Sequence, residues 1–112
     1  MAKEIILSRD SDPKSPKYLT WNMDVQECQA IKSAIGDQED TFPLLSTLSD
    51  YYEDFQCPRE RLMALCQETI DLEISLEEHH RETPSLLKML TLIGGLAALS
   101  HNYDLCIFGY AE

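Results

Sequence analysis

Residues 83–110 read TPSLLKMLTLIGGLAALSHNYDLCIFGY, and the change of pattern inside them decides the fold class. Thr83 before Pro84 is a helix start, because a threonine oxygen can take an unpaired N–H and proline's missing N–H costs nothing in a first turn. From Pro84 to about Ser100 the chain is apolar nearly all round, the mark of a helix at the centre of a core. Gly94 and Gly95 each cost such a helix about 1 kcal/mol relative to alanine. Close approach of another backbone is the expected compensation. YDLCIFGY (103–110) then turns aromatic and β-branched and reads as a strand.

Upstream, a third helix is expected from near Pro58 to about Glu78. Leu65, Leu72 and Leu76 form one apolar seam; Met63, Cys66, Ile70 and Ile74 form another, with Leu62 between. So wide an arc predicts a central helix with neighbours on two sides. Glu73 projects into the middle of the arc, either as a partly buried carboxylate or as the gap between the seams.

Further upstream, Thr41 before Phe42-Pro43 opens a second helix, read through DYYEDF (50–55). At about 100° per residue, Leu48, Tyr51 and Phe55 fall within about 40° of Leu44. Tyr52 falls to one side, and Asp50, Glu53 and Asp54 land on the opposite half. On this reading the rings line or flank the core stripe while the acids face water.

The first third completes the pattern. KEIILS (3–8) and KYLTWN (17–22) read as strands, separated by the proline-containing loop RDSDPKSPK (9–17). Asp24 with Glu27 makes a capping box for a first helix that carries Val25, Cys28, Ile31 and Ile35 and stops at Gly36. The expected architecture is a single α+β domain over residues 1–112. About four helices pack on a small two- or three-stranded sheet formed by the N- and C-terminal strands, the first and last strands being candidates to pair.

Twenty acidic residues against nine basic ones give a formal net charge of −11. The excess is local: residues 37–82 hold thirteen acids against Arg59, Arg61 and Arg81, a net −10. That balance argues against direct nucleic-acid binding and against an anionic membrane surface, both of which need clustered Lys and Arg. It suits a basic protein partner, which opposite fields would steer. No segment has the length of a bilayer span or the pattern of a signal peptide. The expected setting is cytoplasmic, with Cys28, Cys57, Cys66 and Cys106 as reduced thiols that mostly fill the core.

Catalytic and metal chemistry find little support. Glu77, Glu78, His79 and His80 are the obvious candidate ligands, but adjacent histidines on a helix point about 100° apart and no second copy of the motif exists. They read as a solvated helix end, favoured there by the dipole. His101 reads likewise as a helix-end or core histidine. Trp21 with Tyr18 could form a binding edge, with burial the better account of that pair and of Phe108 and Tyr110. No phosphate-binding glycine loop, nucleophile elbow or zinc-ligand spacing occurs. Neither cofactor nor metal is expected.

The residues best placed by type to bind a basic protein are Asp37, Glu39, Asp40, Asp50, Tyr51, Tyr52, Glu53 and Asp54, because interfaces favour aromatics at the centre and charge at the rim. In size, acidity and mixed α/β layout the chain resembles small acidic bacterial immunity proteins, and also small orphan proteins of mobile gene cassettes. The resemblance implies a non-enzymatic inhibitor whose acidic surface, placed at residues 37–60, covers the basic cleft of a toxin. Homo-oligomerisation stays open. The alternatives are a DNA mimic or regulatory adaptor and, behind them, a small enzyme or metal protein using His79, His80 or His101.

Overall fold

A computed structural model describes residues 2–111. Its elements are β1 (Ala2–Ser8), β2 (Leu19–Asp24), α1 (Val25–Ile35), α2 (Pro43–Leu48), β3 (Phe55–Cys57), a 3-10 turn (Arg59–Arg61), α3 (Leu62–Glu78), α4 (Pro84–Asn102) and β4 (Cys106–Tyr110). The α+β class is as the sequence implies. The sheet has four strands rather than two or three, antiparallel throughout, in the order β2-β1-β4-β3. The first and last strands do pair, at its centre, with Ile6 opposite Phe108 and Leu7 opposite Ile107.

The period of two along β1 turns Lys3, Ile5 and Leu7 toward the helices. Met23, Phe55, Cys57 and Ile107 join them from the other strands, and all are buried. Behind them lie the buried faces of α1, α2, α3 and α4, including Ile31, Leu45, Leu65, Leu72 and Leu90. On the other face, Ile6 and Phe108 are buried as well. The β1–β2 loop folds over that face and helps enclose a small cavity of about 210 Å³ against Ile6, Phe108 and Tyr110.

Two helix starts are as expected. Glu27 N–H donates to Asp24 Oδ1 at 2.7 Å and Asp24 N–H to Glu27 Oε1 at 3.0 Å, which completes the capping box. Leu86 N–H donates to Thr83 Oγ1 at 3.2 Å. The two longest helices end alike. Arg81 N–H reaches back to Leu76 O at 2.8 Å and Leu105 N–H to Ser100 O at 2.8 Å. The residues between, His80 and Asp104, take φ of 53° and 56°, the left-handed position that favours glycine.

Two expectations about the helices are corrected. The helix begun at Pro43 stops at Leu48, so Tyr51, Tyr52 and Phe55 are not on it. Asp50 starts a turn, with Glu53 N–H donating to its carbonyl at 3.3 Å and Tyr52 N–H to its Oδ1 at 3.1 Å. Asp competes with the helix for such backbone groups. Phe55 and Cys57 then alternate inward around exposed Gln56 as the edge strand β3. Second, α3 buries one seam only: Leu62, Leu65, Leu72 and Leu76 face the core, while Met63, Ile70 and Ile74 are open to solvent and Cys66 is half-buried.

Candidate interaction surface

α2 has six residues and little helical stability of its own. It is held instead by two buried charges from distant elements. At its N-terminal end, the Glu68 carboxylate on α3 accepts Leu44 N–H at 3.2 Å and Leu45 N–H at 3.0 Å. Thr41 does not cap it, contrary to expectation; Phe42 holds the N-cap position without a side-chain bond. At the other end, the Lys3 ammonium donates to Leu48 O at 2.7 Å, Asp50 O at 2.9 Å and Thr47 O at 3.1 Å. An anion at the start and a cation at the end both complement the helix dipole.

Lys3 is 0% exposed. Its stem crosses the sheet where Gly109 lacks a side chain; a Cβ there would lie 3.0 Å from Lys3 Cε, 3.1 Å from Phe55 Cβ and 3.2 Å from Ile5 Cδ1. Burial pushes the Lys3 ammonium below the ordinary lysine value, while Cys28 and the carboxylates of Asp50, Asp54 and Glu53 push it back up. Burial likewise raises the Glu68 carboxyl above the usual glutamate value, opposed by the amides of Leu45 and Leu44.

This frame positions the expected contact residues. Asp37, Glu39 and Asp40 are exposed in the loop before α2, whereas Asp50, Tyr51, Tyr52, Glu53 and Asp54 form the loop after it. The set is therefore split between the two ends of a helix about 9 Å long. Within the second loop the residues differ in role. The Asp50 side chain closes the turn, and Asp54 Oδ1 accepts Ala111 N–H at 2.9 Å beside the sheet edge. Tyr51 is half-buried against the core. Tyr52 stands 79% exposed, edge-on to Tyr51 with ring centres 5.3 Å apart, and Glu53 is exposed beside it.

The three histidines all lie at helix ends. His79 is the C-cap of α3, its Nδ1 2.8 Å from Ser75 O, and His80 follows in the left-handed position. His101 lies in the last turn of α4. Among the described residues, no group of three or more His, Cys, Asp or Glu is placed to hold a metal ion. Glu73 is half-buried and accepts Thr91 Oγ1–H at 3.1 Å; the buried carboxylate is Glu68, just over one turn earlier. Trp21 is half-buried against the core, while Tyr18, expected to be buried with it, lies outside strand β2 and is exposed on a groove shared with Tyr103 and Arg9. Phe108 is buried as expected, whereas Tyr110, expected to be buried too, is exposed at the end of β4 and stacks on it with ring centres 6.3 Å apart.

All four cysteines are free. Burial pushes the Cys57 thiol up to about 11 and raises that of Cys28, so both stay protonated and poorly nucleophilic at neutral pH. Among the described residues, no helix is long and apolar enough to cross a membrane. Nothing matches this chain among protein-family models, curated proteins or solved structures.

Proposed function

We propose that the chain is a non-enzymatic binding protein for a basic protein partner, an inhibitor of the immunity type acting in the cytoplasm. It would engage that partner through the acidic loop 49–54 and, beyond α2, the acids of the preceding loop. The observation that carries this reading is the exposure of Tyr52 among carboxylates. A large aromatic ring open to water beside Glu53, on a loop whose Asp50 carbonyl accepts from Lys3 and whose Asp54 carboxylate accepts Ala111 N–H, has the form of a pre-ordered contact. The local charge favours encounter with a cationic surface, and the four free thiols suit a reducing compartment.

The loop's own bonds dictate the test. Asp50 and Asp54 hold backbone amides, so replacing them confuses binding with folding. Tyr52→Ala with Glu53→Lys leaves those bonds in place. Affinity capture from the native host, quantified by mass spectrometry, should recover a basic protein on the parent chain. On the double variant its affinity should fall about tenfold or more, and on the parent it should fall steeply with salt. A captured partner indifferent to both the variant and salt would exclude the reading. Release of that partner by duplex DNA would assign the chain to the DNA mimics instead.

A further inference from the structure

The packing of the two longest helices leaves one apolar seam uncovered. Met63, Ile70 and Ile74 recur on one face of α3 at intervals of seven and four residues, and are 50%, 44% and 49% exposed. α4 runs antiparallel beside α3, with Gly94 against Thr69 and Thr91 bonded to Glu73. Ile70 and Ile74 thereby join Leu87 and Thr91 as the floor of an open groove of about 450 Å³. The remaining lining is Glu73, Glu77 and Glu82, with no basic side chain. Gly95 sits one turn beyond Thr91, where a Cβ would meet nothing within 4 Å. An exposed glycine in mid-helix costs about 1 kcal/mol, and among the described residues no neighbour packs against it.

We propose that this groove docks a basic amphipathic helix of a partner protein. Two antiparallel helices present a lengthwise furrow into which a third can lay its ridge. The isoleucines and Leu87 would receive the apolar stripe, and the three carboxylates would receive flanking Lys or Arg, one of them already oriented by Thr91. Charge selects the occupant. A second copy of this chain would bring the same three carboxylates to the contact, and an anionic lipid surface would be repelled. The proposal rests on the reading of the chain as a binding protein but does not need loop 49–54 to touch the partner.

The test uses a synthetic amphipathic helix of leucine and lysine, about 18 residues long so that it is helical when bound. Fluorescence anisotropy should show it binding the parent chain, with a matched leucine–glutamate peptide failing to bind. Ile70→Ser with Ile74→Ser, both at exposed positions, should weaken binding about tenfold or more with an unchanged circular dichroism spectrum. If that pair disturbs the fold, Glu73→Gln, Glu77→Gln and Glu82→Gln together should weaken binding and flatten its salt dependence. Tyr52→Ala with Glu53→Lys should bind the peptide as the parent does; its behaviour against the native partner tests the loop reading separately. Three results would overturn the proposal. One is equal binding by the groove variants, and another is equal binding of the leucine–glutamate peptide. The third is sedimentation or vesicle binding showing that Ile70 and Ile74 serve a dimer of this chain or a phosphatidylglycerol surface.

Discussion

An alanine at position 94 would place its Cβ 2.6 Å from Thr69 Oγ1, whereas one at position 95 would meet nothing within 4 Å. Thr69 cannot swing aside freely, because its hydroxyl donates to Cys66 O at 2.6 Å. Gly94→Ala should therefore destabilise the protein by about 1–3 kcal/mol through overpacking. Gly95→Ala should stabilise it by roughly 0.5–1 kcal/mol through helix propensity. Urea unfolding of the two variants separates the cases, and destabilisation by both would mean that position 95 also packs within the chain. The dipeptide is legible in the sequence as a cost to the helix; which glycine the fold requires is not, since that depends on α3. What approaches Gly94 is a side chain rather than the expected backbone. His80 and Asp104 are a related case: left-handed helix terminators without glycine leave only a faint mark in the sequence.

At the scale of elements, the sequence speaks clearly wherever the causes are local. The capping box of α1, the Thr-Pro start of α4 and the apolar run of β4 all lie within a few residues of what they specify. α2 is the contrary case. Its caps come from Glu68 and Lys3, more than twenty and more than forty residues away, and no local pattern announces them. One local clue to its end does exist: Ser49-Asp50 is a turn-forming pair, and Phe-Gln-Cys before Pro58 alternates like a short strand. The candidate contact residues are legible as types but not as one patch, because helical periodicity alone carries α2 past its actual end. Glu68→Ala should cost about 2–4 kcal/mol, since two buried amides lose their acceptor. The penalty should depend on pH. The folded state holds the Glu68 proton more tightly than the unfolded chain, so the residue's contribution is greatest below the ordinary value of 4.5 and declines as pH rises through its raised folded value. Denaturant unfolding of both proteins from about pH 4 to pH 8 should show the penalty shrinking. A penalty that grows with pH would mean that the ionised carboxylate gains more from the two amides than it loses by burial.

For the molecule as a whole, twenty acids face nine bases. Among the described residues two ion pairs form, Lys17 with Glu4 at 3.9 Å and Arg59 with Asp104 at 2.6 Å, both well exposed. Such pairs contribute little, so mutual repulsion of carboxylates is the dominant long-range term. Raising sodium chloride from about 0.01 M to about 0.5 M should screen it. The expected gain is about 1 kcal/mol, or roughly 4 °C in thermal midpoint. A midpoint that falls with salt would show that attraction outweighs repulsion. The sheet, for its part, sets an order in time. β1 has β4 as its central partner, so a growing chain displays Ile6 long before Phe108 exists to face it. Closing a loop of that length costs about 4 kcal/mol of chain entropy before the sheet returns any of it. Until β4 arrives, the glycine slot for Lys3 is also missing. The cation that clamps α2 therefore spends early synthesis as an ordinary hydrated lysine, and the last strand made converts it into part of the frame.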